Sequence, residues 1–224
     1  MRKIFAAGLA VLMLGLAGCG KAEDKAGGAL IKQAREEYAS LDSARVVMTD
    51  MNTGEEAQSF TFKYDEKDTL IFSYYGKSEN NEYAQYNNGL ECFTYENGEV
   101  SHTTKGDTDF VRYTRKMPHP QAAEGLLIYS PENITEAKEE TVPEGIKVTH
   151  VYDVQKIGAK VEEGTVTGFR AEYLFDGDGK LMYFDEITEA ENNGSENTYD
   201  YRVEITEENG VSLVENTVEQ FMKE

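Results

Sequence analysis

The sequence predicts an α+β fold, mainly β, built on an antiparallel sheet. Three observations point there: one amphipathic stretch of helical period near the start, many runs of period two, and Asn-Gly or Asp-Gly pairs between those runs. A chain of 224 residues is long enough for one domain with a sizeable core. Its fourteen Tyr and ten Phe set it apart from disordered chains, which are poor in aromatics.

The first segment reads as targeting rather than fold. Met1-Arg2-Lys3 is a short basic start, and Ile4 to Leu16 is an uncharged apolar run. A membrane-spanning helix needs about 20 apolar residues, so this run has the length of a secretory signal core instead. It ends in Leu16-Ala17-Gly18-Cys19, which resembles the lipobox of bacterial lipoproteins: an aliphatic residue, two small residues, then cysteine. The resemblance implies that residues 1–18 are removed and that Cys19 carries a diacylglyceryl group. Two or more acyl chains anchor a protein stably, which one chain does only marginally. The expected location is the extracytoplasmic face of the cell membrane, by lipid anchor. Residues 19–28, the lipidated cysteine and a small polar stretch, read as a tether reaching roughly 15–20 Å on average. The folded domain is expected over 29–224.

Within that domain "ALIKQAREEYASL" places Leu30, Ala34, Tyr38 and Leu41 at helical spacing. "SFTFKY" then alternates with Phe60, Phe62 and Tyr64 on one face, and "TLIFSYYG" is apolar on both faces, as a covered strand would be. "EYAQY" and "LECFTYE" run into Asn88-Gly89 and Asn97-Gly98, both favoured hairpin turns. The middle breaks this texture. It holds all four prolines, a short helix is expected around Ala123, Leu126 and Leu127, and "TEAKEETVPEG" reads as a solvated acidic loop. Strands resume at "IKVTHVYDV", where Ile146, Val148, His150, Tyr152 and Val154 share a face. "FRAEYLFDGDGKLMYFDEI" reads as a hairpin turning at Asp176-Gly177-Asp178-Gly179, and "YDYRVEIT" alternates again. The closing "LVENTVEQF" fits a helix, or a strand followed by a short helix.

No motif points to an enzyme or to a cofactor. "DGDGK" begins like a calcium loop, but Lys180, Leu181 and Ile187 occupy positions where a ligand, the glycine and the bidentate Glu are needed. His102, His119 and His150 have no metal-ligand spacing, and no nucleophile elbow or phosphate loop is present. With 42 Asp and Glu, no catalytic carboxylate pair can be singled out, so no catalytic or metal residues are assigned. A net charge of −20 disfavours nucleic acid and leaves basic protein surfaces as possible partners. With Cys19 lipidated, Cys92 has no partner for a disulfide and is expected as a buried thiol beside Glu91.

Aromatic residues carry the functional expectation. Phe60, Phe62, Phe72, Tyr74, Tyr86, Phe93, Tyr173 and Phe184 recur across successive strands. They build a core, or with Leu126 and Leu127 they line an apolar cavity of the kind that takes small molecules.

The order of elements, with "REEYASLDSARVVMTDM", "FTFKYDEKDTLIFSYYG", "YNNGLECFTYENGEV" and "YLFDGDGKLMYF", resembles the LolA/LppX-like proteins over most of 29–224. That resemblance implies a strongly curved antiparallel sheet, an unclosed half-barrel, wrapped over the N-terminal helix and a short helical insertion. It also implies binding of an acyl chain or lipidated cargo. A tethered member cannot shuttle as soluble carriers do, so the expectation is a membrane-anchored, non-enzymatic binder of a hydrophobic ligand. The alternative is an envelope interaction or sensor lipoprotein without a small-molecule ligand.

Overall fold

The computed structural model describes residues 25–78, 81–110, 127–161 and 163–222. The signal segment, Cys19, His119, Ala123 and Leu126 therefore lie outside the described residues. One helix, α1 (Gly28–Ala39), precedes six strands: β1 (Ser43–Asp50), β2 (Glu55–Tyr64), β3 (Leu70–Lys77), β4 (Glu82–Asn87), β5 (Glu91–Glu96) and β6 (Glu99–Thr104). After a 3-10 turn at Pro131–Asn133 come β7 (Ile134–Val142) and β8 (Gly145–Tyr152), a one-turn helix α2 (Val154–Ile157), then β9 (Thr165–Phe175), β10 (Leu181–Asn192) and β11 (Ser195–Thr206). A second 3-10 turn, Thr217–Phe221, follows an extended segment.

All eleven strands form one antiparallel sheet in the order β6-β5-β4-β3-β2-β1-β11-β10-β9-β8-β7. Each half is a meander of hairpins. The halves join where β1 pairs with β11, so the first and last strands of the chain lie side by side at the centre. β6 and β7 are the two edges, and the sheet is curved and unclosed, as the resemblance implies. Register shifts at Met48/Thr49, Leu181/Tyr183, Glu189/Ala190 and Ile134/Glu136 supply local bends, since an extra residue on one strand kinks it and raises its twist.

Turn chemistry sets the register. Asn97 and Gly98 both take positive φ, 48° and 95°, in the two-residue turn whose twist matches the flanking strands. Between β9 and β10, Asp176 Oδ1 accepts hydrogen bonds from the backbone N–H groups of Asp178 and Lys180, each at 2.9 Å. That carboxylate shapes the turn, as Asp does when it bonds the backbone two residues on.

The inner face of the sheet packs on α1. Ile31, Ala34 and Tyr38, spaced three and four apart, are the buried stripe of the helix, and the Tyr38 ring meets Phe62 edge-on at 6.0 Å. On the outer face, the C-terminal segment crosses β1 to β5. Val211 N donates to Ser43 Oγ at 3.2 Å, and Lys63 Nζ donates to the Ser212 carbonyl at 3.1 Å. Further along, Thr217 Oγ1 lies 2.7 Å from Ser73 Oγ. Val218 is completely buried there.

The middle of the chain departs from expectation in the described residues. The acidic stretch read as a solvated loop is strand β7, and only its Pro143-Glu144 pair turns. Ile134 is buried and Ala137 partly so on the inner side, while Thr135, Glu136 and Lys138 to Thr141 are exposed. This charged composition suits an edge strand, where charge discourages pairing with another chain. The closing segment resolves as an extended stretch followed by a 3-10 turn, and Val154 belongs to α2 rather than to β8.

Candidate ligand-binding face

Strand register assigns each sequence-predicted residue to a face. Phe62 pairs with Phe72 and Phe60 with Tyr74 across β2 and β3, and Phe184 pairs with Tyr173 across β10 and β9. All six point inward and are buried, exposed by no more than the 7% of Tyr74. Their rings touch in two groups. Phe60, Phe62 and Phe72 stand 5.7 Å from one to the next, and Tyr173 sits 5.6 Å from Phe184. Leu127 is fully buried in the same core, outside any helix.

Tyr86 and Phe93 depart from the expectation. Tyr86 pairs with Ser73 and Phe93 with Tyr86, and Ser73 lies one residue from the inward Phe72, so both rings point outward. Period-two alternation makes the correction: a strand residue of odd offset from an inward neighbour must face the other way. These rings lie 6.4 Å apart at a tilt, Phe93 stacks on His102 at 4.2 Å, and both are half-buried. They belong to the surface that the C-terminal segment crosses, away from the inner face.

The inner face also holds polar groups that aromatic counting does not find. On either side of Ala171 in β9, His150 pairs from β8 and Glu186 from β10. The three residues form one row of the sheet, and at strand spacings of about 4.8 Å the row is about 10 Å long. His150 is fully buried and Glu186 is 7% exposed. His150 Nε2 lies 2.7 Å from the Ala26 carbonyl oxygen. A carbonyl only accepts, so Nε2 carries the proton and Nδ1 presents a lone pair, for which the structure holds no partner. Burial lowers the histidine's pKa, keeping the ring neutral.

Glu186 makes no hydrogen bond and no ion pair among the described residues. Burial alone pushes its carboxyl up to about 7. Its charge is felt at the hydroxyls of Tyr152 and Tyr173, whose pKa values burial also raises, and Arg35 of α1 acts on both hydroxyls in the opposite sense. Those hydroxyls donate to a single acceptor, the Ile128 carbonyl oxygen, at 3.2 and 2.6 Å. Sequence carries one signal for Glu186: it stands two residues from Phe184, so a strand that turns Phe184 inward must turn Glu186 inward too.

Cys92 is buried, and Gln85 Nε2 donates to its sulfur at 3.1 Å. Burial raises its pKa, which makes it an inert thiol. Among the described residues no cluster of His, Cys, Asp and Glu could hold a metal ion, and no helix is long and apolar enough to cross a membrane.

No family model matches the chain, and no curated protein matches it in sequence. Among solved structures it is similar to LprF from Mycobacterium bovis, at 10% sequence identity and a TM-score of 0.47, over 84% of this chain and 95% of that one.

Proposed function

We propose that this protein is a membrane-anchored lipoprotein of the cell envelope that binds, without chemical conversion, a hydrophobic ligand bearing an acyl chain. One observation carries the reading. The inner face of the curved sheet is aromatic and aliphatic, yet it holds two buried polar groups, His150 Nδ1 and the Glu186 carboxylate, without a hydrogen-bond partner among the described residues. Buried polar atoms in a purely structural core are hydrogen-bonded, and exceptions call for an explanation. An apolar lining with a few oriented polar groups is how small-molecule sites are built. Because the six inward aromatics pack on one another and on α1, entry of a chain requires them to part, which makes ligand binding a rearrangement of this core rather than the filling of an open bowl.

The anchor is the diacylglyceryl group on Cys19, and the tether keeps the domain within about 30 Å of the bilayer at full stretch. Native mass spectrometry of the full chain, extracted from membranes in mild detergent, tests the binding reading. Co-purified adducts of lipid mass, beyond the modification on Cys19, are expected, and they should exchange for added lipid. A single mass of protein plus anchor that no added lipid shifts would overturn it. The anchor has its own test: Cys19→Ser should move the protein from the membrane to the soluble fraction, and continued membrane association of that variant would refute the lipid attachment.

A further inference from the structure

The row formed by His150, Ala171 and Glu186 has a chemical bias. Nδ1 of His150 is an acceptor because Nε2 spends its proton on Ala26. The ionised Glu186 carboxylate accepts only. Tyr152 and Tyr173 stand in the same inner surface, and both spend their protons on Ile128, which leaves their oxygens as acceptors. The side chain between the acid and the imidazole is only the methyl group of Ala171, itself fully buried. Around this methyl the inner face presents lone pairs, and none of the described residues supplies a hydrogen-bond donor to the carboxylate or to Nδ1.

Resting on the reading that the inner face takes an apolar chain, we propose that this row is a head-group site selecting hydrogen-bond donors: the amphiphile it takes carries a primary ammonium, held between the Glu186 carboxylate and His150 Nδ1 over Ala171. An ammonium offers three donors and a positive charge, so it satisfies both acceptors and neutralises a buried anion that has no counter-ion in hydrogen-bonding contact among the described residues. A hydroxyl head satisfies them less completely. A carboxylate or phosphate head meets only lone pairs and a like charge, and is rejected. Selectivity of this kind comes from the unpaired groups in the site, since a head that fails to pair them leaves their desolvation uncompensated.

The groups that face Glu186 are Tyr173 and Ala171 on β9, Tyr152 and His150 on β8, Tyr201 opposite it on β11, and Arg35 on α1. Lys25 lies near His150 and helps to lower its pKa. Burial raises the pKa values of Tyr152 and Tyr173, which stay neutral across the working range, so the head senses the titration of Glu186 and, at the acid end, of His150.

Calorimetric titration of the full chain with dodecylamine, dodecanol and dodecanoate, below their micellar concentrations and at 0.15 M salt, separates the possibilities. The expected order is amine, then alcohol, then acid, with the amine at least about tenfold tighter than the acid, the difference one or two buried charge-assisted bonds make. Glu186→Gln, nearly isosteric, should reduce the amine-to-acid ratio to about threefold or less. As a check that needs no variant, the same ratio in the wild-type chain should fall between pH 8 and pH 5, as Glu186 takes up a proton. A preference for the amine that Glu186→Gln and pH leave unchanged would reflect attraction to the acidic surface and would overturn the proposal. Equal binding of the three heads, or a preference for the acid, would overturn it while leaving the apolar-chain reading intact. Failure of all three probes to bind would remove both.

Discussion

Phe221 stacks on Tyr95 with ring centroids 3.7 Å apart and planes 4° from parallel. This contact holds the last turn of the described chain against β5, on the side of the sheet opposite α1. Together with buried Val218 and the Ser73–Thr217 hydrogen bond, it makes the C-terminal segment a strap over the outer face of the first half of the sheet. That half therefore has apolar groups covered on both faces, which explains why β3 reads as apolar throughout.

Loosening the strap should cost stability in proportion to what it buries. Phe221→Ala is expected to lower the unfolding free energy by about 1–2 kcal/mol, the worth of a half-buried ring and its stacking. Val218→Ala should cost about 2 kcal/mol through lost burial and a residual cavity. Urea unfolding measures both, and hydrogen exchange should show the faster amides in β4 and β5 rather than in β8 to β10.

On the outer face of the second half, Arg202 grips Asp185 with two hydrogen bonds of 2.8 and 2.9 Å while lying 3.7 Å over the Tyr183 ring. The planar guanidinium is what allows the fork and the stack at once. Arg202→Lys should therefore cost about 1–2 kcal/mol although the charge is kept. The coupling between positions 202 and 185 in a double-mutant cycle should exceed that of the more exposed Arg45–Glu56 pair, which has one bond of 2.8 Å.

Glu186 makes stability depend on pH with a definite sign. Its folded pKa of about 7 lies above the ordinary 4.5, so the folded state holds the proton more tightly than the unfolded chain. Its contribution is fully present below about pH 4.5 and is lost as pH rises through 7. His150 acts oppositely: its lowered pKa contributes stability above the ordinary 6.5 that is lost as pH falls through the folded value. Glu186→Gln should remove the first effect, flattening the urea midpoint between pH 5 and 8. It should stabilise the protein at pH 8 by an amount on the order of 2–3 kcal/mol. A midpoint that still falls in the variant as pH rises would contradict this assignment.

Gly145 opens β8 with φ of 146°, and a Cβ placed there would strike the Phe175 carbonyl of the neighbouring strand. Gly98 also has positive φ, 95°, but an added Cβ meets nothing. Gly145→Ala should cost about 2 kcal/mol or more, and Gly98→Ala about 1 kcal/mol from backbone strain alone. Thermal unfolding of the two variants side by side checks the difference.

Much of this architecture is legible in order and texture. The helix, the strands before the middle segment and β8 to β11 after it follow from periodicity and turn residues, because a hairpin is a local decision between adjacent runs. The acidic β7 escaped that reading because a strand at a sheet edge keeps little apolar pattern, and its hydrogen bonds to β8 hold what its side chains do not announce. Tyr86 and Phe93 were grouped with the inward aromatics because residue type says nothing about face. Glu186 was lost among 42 acids, although its offset of two from Phe184 marked it.

What the sequence alone determined is local: alternation, turns, the amphipathic stripe of α1 and a lipobox-like start. Only the tertiary structure decided that β1 lies beside β11, that the chain's end straps the outer face, and that His150 and Glu186 flank one alanine. The physical reason is range. Turn and helix preferences act over a few residues, whereas those relationships join positions up to 168 residues apart, and they exist only once burial of the shared inner face has brought the two meanders into register.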